Sequence, residues 1–286
     1  MNIRLNIIFF SWLLITCVVN SWATEFQSPR VAALGGAGRA SPLSTDAIYI
    51  NPSFIPQIPL HVLSVNYLSY HGSAQNYYDT SGRVLNAAFQ DGSKGSYFQA
   101  GVGYTKFTHG TMIHGAVAAE LSQNLSLGVS VKALRPQYEV SDLKFNGSVS
   151  MTWILSKNIR AAVIGDNVLR SAMSQNLLRE LTLATKFGFS QDLGIFIDPH
   201  WYPDLGQYPE SFGFEAGIEY FVSEVVCLRA GGYRNSKPNF QSERTNGLGG
   251  GLGLVFPRTA IDYSYSRQLG DPRSGFAHNV ALSLYF

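Results

Sequence analysis

The chain has 286 residues and a formal net charge of +2, and only 14% of its residues are charged, against about 25% in soluble proteins. Near-neutrality without a basic cluster excludes a nucleic-acid partner. Mean hydropathy is close to zero, and after residue 23 no apolar run reaches the roughly 20 residues of a spanning helix. Apolar residues spread thinly and evenly suggest strands with one face in lipid.

The N-terminus comes first. Arg4 gives a short positive start, Ile7 to Val19 is almost unbroken apolar sequence, and Ser21 and Ala23 are small residues where a signal peptidase reads. Residues 1–23 therefore read as a secretory signal peptide, with the mature chain beginning near Thr24. The run is too short for a retained membrane helix. Leu14 to Cys17 imitates a lipoprotein box, but Thr16 fits badly before the cysteine. Once Cys17 leaves, Cys227 is the single cysteine, so no internal disulfide forms.

Residues 24–58 do not read as strands. Gly35, Gly36 and Gly38 lie in a stretch of small residues ending near Ser41. As a phosphate loop this fails, because the third glycine and the preceding strand are missing.

From residue 59 to 286 the chain alternates strand-like segments with turn signals. Leu125, Leu127, Val129, Val131 and Ala133 share one face, and Ser126, Gly128, Ser130 and Lys132 the other. That is period two with a lipid side and a polar lumen side. Phe212, Phe214, Ala216, Ile218 and Tyr220 repeat it, as do Ile261, Tyr263 and Tyr265. The predicted segments are 60–70, 83–90, 96–107, 111–121, 125–135, 143–155, 159–168, 179–189, 193–201, 211–221, 225–235, 246–256, 259–268 and 277–286. This makes an all-β, transmembrane antiparallel barrel of about fourteen strands, or twelve if the weak second and ninth segments fail. Even-to-odd junctions are short and the others mostly longer, which is the outer-membrane pattern with short turns in the periplasm. Closure is required because an unpaired backbone group in hydrocarbon costs several kcal/mol.

Two regions resemble a known family. Ala33 to Ala40, including Gly35, Gly36, Gly38 and Arg39, followed by Asp46 and then Asn51 and Pro52, resembles the N-terminal hatch of the FadL-like channels. It is equally similar to the PorV/PorQ-type barrels of Bacteroidetes-like bacteria. Gly217 to Tyr220, Leu228 to Tyr233, Gly249 to Gly253, Ile261 to Tyr265 and His278 to Phe286 follow in the order of the PorV-type group. The resemblance implies a fourteen-strand barrel with residues 24–58 folded into its lumen as a plug. It also implies that Phe286 is the signal read by the barrel assembly machinery.

The alternation places Glu120, Lys132, Arg160, Lys186, Glu215, Glu219, Arg229 and Asp262 inward. Four acidic and four basic groups read as a mutually neutralising network holding wall and plug, or as a polar substrate path; a strongly selective pore would carry one dominant sign. Gly249, Gly251 and Gly253, and Gly101 and Gly103, face inward and leave room for another backbone. The Gly35–Gly38 segment is expected to pack there, unless these glycines only relieve crowding in a curved sheet. His114 is the one histidine placed clearly inward. Enzyme motifs, cofactor motifs and metal-ligand spacings are absent; His71 with Ser73 is the best, and poor, catalytic pair.

Two functions follow from the resemblance. One is a passive outer-membrane channel for small hydrophobic compounds, contacting outer-membrane lipid and a small hydrophobic ligand. The other is a PorV-like, non-enzymatic component of a secretion or surface-assembly complex. That component would hold an exported or surface protein through outer loops 169–178, 202–210 and 236–245.

Overall fold

The computed structural model describes residues 26–71, 81–108, 110–136, 143–169, 179–190, 192–203, 210–236, 245–269 and 275–286. The signal peptide expected at 1–23, Ser73, and most of the loops expected to hold a protein partner lie outside the described residues.

Alternating sequence becomes fourteen strands. In chain order they are β1 (His61–His71), β2 (Ser81–Asp91), β3 (Gln99–Phe107), β4 (Gly110–Ser122), β5 (Leu125–Pro136), β6 (Lys144–Ile154) and β7 (Ile159–Asp166). Then come β8 (Glu180–Gly188), β9 (Leu193–Tyr202), β10 (Ser211–Phe221), β11 (Val226–Ser236), β12 (Thr245–Phe256), β13 (Thr259–Leu269) and β14 (Phe276–Tyr285). Each pairs antiparallel with its chain neighbours, and β1 pairs with β14 to close the ring. Closure removes the free edges that hydrocarbon would penalise.

Both weak segments are strands. The ninth reads poorly because Phe196 faces in while Ile197 faces out, and because Pro199 interrupts it. Elsewhere burial alternates cleanly. In β1, Ser64, Asn66 and Leu68 are buried while Leu63, Val65 and Tyr67 are exposed. Exposed apolar residues continue round the ring with Val129, Val131, Leu183, Ile218, Leu252, Ile261 and Val280. In water each would forgo roughly 1.5–3 kcal/mol of burial; against lipid tails it forgoes none. This outer surface is that of an integral outer-membrane barrel.

The even-to-odd turns, such as 123–124 and 257–258, share one end with both ends of the barrel chain. There His61 and Phe286 exchange backbone hydrogen bonds of 3.3 and 2.9 Å. That end is the periplasmic one, and the longer connections mark the outer end.

Residues 26–58 are mostly buried and contact inward-facing residues of the strands. The segment holds two short helices, α1 (Pro29–Ala33) and α2 (Asp46–Ile50), and a 3-10 helix (Pro52–Gln57). Ser28 caps α1 by accepting from the Val31 N–H, and Pro29 takes the first turn, where no N–H is needed. Gly35, Gly36 and Gly38 have φ of +68°, +92° and +117°. This left-handed backbone favours glycine, and it turns the chain after α1.

Candidate functional site

Side-chain contacts around the N-terminal segment reach opposite walls of the barrel. Arg30 Nε of α1 pairs with Glu219 Oε2 of β10 at 2.8 Å. Glu219 also accepts from Arg229 Nε of β11 at 2.8 Å, and Arg229 pairs in turn with Asp262 of β13. Two guanidinium groups thus alternate with two carboxylates, which limits the desolvation cost of buried charge.

Arg39 forms a second centre. It pairs with Glu215 of β10 and lies 3.6 Å from both Asp198 of β9 and Glu180 of β8. Asp198 Oδ2 also accepts the backbone N–H groups of Gly38 and Arg39, each at 2.9 Å. The turn after α1 is therefore held by a fully buried carboxylate.

The other half of the segment is held by hydroxyls and amides. Asn51 Nδ2 donates to the Arg39 carbonyl at 2.7 Å and to Thr152 of β6 at 2.9 Å. The Ser53 N–H donates to Ser150 at 2.9 Å, and Ser126 of β5 donates to the Ser53 carbonyl at 2.6 Å. Asn86 of β2 donates to the Tyr49 hydroxyl at 2.6 Å. Asp46 accepts from Ser28 Oγ at 2.9 Å and so ties α2 to the cap of α1. Burial pushes the Asp46 carboxyl up to about 7, against the pull of Arg30 and the Ser28 hydroxyl.

Glycines set how closely the segment approaches the wall. A Cβ at Gly217 would lie 2.7 Å from the Leu34 carbonyl oxygen, and one at Gly231 or Gly249 would collide with the backbone of Leu34 or Ala32. Gly251 faces the Ala33 methyl at 2.7 Å from where its own Cβ would be. Opposite, Gly101 and Gly103 make room for Ile48 and Tyr49, and Gly128 for the backbone of Pro52 and Ser53.

Several expected positions need correction. Ala32 and Ala33, rather than the Gly35–Gly38 segment, approach Gly249 and Gly251; Gly35 itself meets Gly232 on β11. The physical reason is that α1 precedes the glycine turn and lies along β12 and β13. Gly253 faces the Arg229–Asp262 pair instead of the segment. Glu120 is exposed at the periplasmic end of β4, where the register slips between Glu120 and Ser122, so water solvates it. His114 is joined inside by His200, both almost fully buried.

Other charges expected inward have partners among the described residues. Lys132 pairs with Asp166 at 2.9 Å, Arg160 donates to Ser41 at 2.7 Å, and Lys186 lies over the Phe196 ring at 5.5 Å. Sequence reasoning missed Asp198, His200, Asp166 and Glu180. For the first two the signal was present: counting by two from Phe196 reaches both, but Pro199 and the neighbouring apolar residues hid the alternation.

The wall beside Arg39 is less regular than the rest. β6 pairs with β7 only over Val149–Ile154. Beyond that, Asn167 (φ +53°) turns the chain, and the gap is spanned by the Val168 N–H to the Gly147 carbonyl and the Leu169 N–H to Asn146 Oδ1, each at 3.0 Å. Between β8 and β9 the pairs Thr182–His200 and Thr185–Ile197 flank two unpaired positions at Pro199 and Asp198. Proline has no N–H to give a neighbouring strand.

No family model matches the chain, and no curated protein does. Among solved structures, a Pseudomonas aeruginosa FadL homologue superposes with a TM-score of 0.64 at 12% identity, over 92% of this chain and 99% of that one. The barrel has the fold of the FadL-like channels. The Pseudomonas putida toluene transporter TodX matches at 0.63 and 12% identity over 92% and 98%. The CymD monoaromatic hydrocarbon channel matches at 0.63 and 15% identity over 91% and 97%. The FadL-like fold thus extends over nearly the whole described chain.

Proposed function

We propose that this protein is a passive channel for small hydrophobic compounds across the outer membrane. Residues 26–58 act in it as a hatch, and the permeant leaves sideways into the lipid. The observation that carries the reading is the interrupted wall between β6 and β9, lying beside the hatch tip that Asp198 and Glu215 hold. A hydrophobic molecule entering from the outer end meets the hatch before the periplasm, and the wall with fewest ladder bonds is its lowest-cost exit. Transfer into lipid is downhill, by roughly 25 cal/mol per Å² of apolar surface, so no energy source and no covalent chemistry are required. Two structures of the same fold are named as a monoaromatic hydrocarbon channel and a toluene transporter, which supports the permeant class. Phe286, 67% exposed at the end of the last strand, is available to the assembly machinery. The alternative, an exported protein held by the outer loops, rests on segments mostly outside the described residues.

The test locks the wall. Leu183 and Pro199 face each other across β8 and β9 by the register on either side, where no ladder pair joins the strands, and a disulfide there would hold their Cα atoms about 4.4–6.8 Å apart. Bacteria carrying the Leu183→Cys/Pro199→Cys protein, with Cys227→Ser, are assayed for uptake of a labelled monoaromatic hydrocarbon. Uptake is expected to fall under oxidant and recover under reductant. Equal uptake in both states rules out this exit, and uptake no faster than in cells without the protein rules out the channel.

A further inference from the structure

The outward face of the barrel carries lysine and arginine at one end only, among the described residues. At the outer ends of their strands Arg83, Lys106, Arg135 and Arg267 are exposed and point to the lipid side, with His71 and His278 among them. No carboxylate occupies an outward position in the outer halves of the described strands, and no Lys or Arg occupies one in the periplasmic halves. None of the four cations is ion-paired among the described residues.

Strand register makes these cations a patch. Arg83 and His278 both lie opposite Ser69 of β1. Lys106 lies opposite Leu85, two residues along from Arg83, and opposite Thr111, which in turn faces Arg135. Diagonal neighbours on adjacent strands are about 7–8 Å apart, and two strand spacings are about 10 Å. Arg83, Lys106 and Arg135 therefore span the width of one large headgroup. Beside Arg83, across β1, Tyr263, Tyr265, Phe276 and His278 of β13 and β14 form an aromatic cluster, with Tyr265 and His278 rings 5.2 Å apart. The arrangement sits at headgroup depth, where a lipid-facing Arg or Lys costs at most about 1 kcal/mol. Guanidinium groups there match phosphate oxygens two at a time.

We propose that the outward face of β1–β5, β13 and β14 binds the phosphorylated glycolipid of the outer leaflet through Arg83, Lys106 and Arg135. Charge complementarity selects this occupant. Among the described residues the patch carries no carboxylate; it lies at the outer rim and continues the lipid-facing belt below it.

Native mass spectrometry of the full-length barrel in neutral detergent tests this, with diphosphorylated lipid A, its dephosphorylated form and phosphatidylethanolamine as probes. Each cation near a headgroup is worth about fivefold in affinity. The diphosphorylated lipid is expected to bind tightest, and R83Q/K106Q/R135Q to lose on the order of 100-fold for it. R234Q, an outward arginine on β11 away from the patch, is expected to bind as the native protein does. Should the triple variant not assemble, R135Q alone is expected to lose about fivefold. Equal binding of phosphorylated and dephosphorylated lipid, or a folded variant with native affinity, overturns the proposal. The readout involves no transport, so it stands or falls apart from the channel reading.

Discussion

Removing the Arg39 side chain should loosen the hatch without unfolding the barrel. Arg39 is 13% exposed and faces Glu215 and Asp198, which are 1% and 0% exposed. Arg39→Ala leaves both carboxylates inside with no guanidinium, and breaking a buried pair from one side costs about 3–5 kcal/mol. The lower figure applies, because Arg39 retains some solvent and Ser236 still donates to Glu215. Asp198 also keeps its two backbone donors. About 3 kcal/mol is on the order of a 100-fold rise in the population with the hatch tip released. The assay is maleimide labelling at Ala37→Cys, a fully buried position in the same turn, in a Cys227→Ser background. Labelling should accelerate by that factor in Arg39→Ala. Adding Glu215→Gln removes one uncompensated charge and should restore a large part of the protection, the non-additivity expected of contacting groups. Native labelling rates in Arg39→Ala, or effects of the two changes that simply add, would refute the idea that the ion pair holds the hatch.

Two further outcomes follow from the geometry. Gly231→Val places a side chain against the Leu34 backbone, which cannot rotate away, whereas Gly115→Ala has nothing within 4 Å of its Cβ. The first should lose about 1–3 kcal/mol and melt earlier, while the second should melt with the native protein. Asp46 has a folded pKa raised to about 7 from an ordinary value near 4, so the folded state binds more protons between those values. Stability is therefore highest below that window and falls as pH rises through it, by at most about 1.4 kcal/mol per pH unit. Thermal melting from pH 5 to pH 8 should show this decline, and Asp46→Asn should flatten it; an unchanged slope in the variant removes Asp46 as the cause.

Much of the architecture is legible in the sequence. Period-two alternation, the phase of short and long connections and the absence of spanning helices determine a closed outer-membrane barrel, because a bilayer forbids unpaired backbone and rewards one apolar face per strand. Alternation also sends Lys132, Glu215, Glu219 and Arg229 inward, since each strand offers only two sides. What the alternation cannot specify is which inward groups meet. Arg30 and Glu219 are 189 residues apart in the chain, and their contact depends on how deep the N-terminal segment sits and how it turns. Only the tertiary structure shows that α1 lies along the glycines of β12 while Arg39 reaches Asp198 and Glu180. Only it shows that Pro199 leaves a gap in the wall beside them. A strand's faces are set locally by backbone geometry, but the partners across a lumen are set by the packing of a segment whose sequence has no regular period.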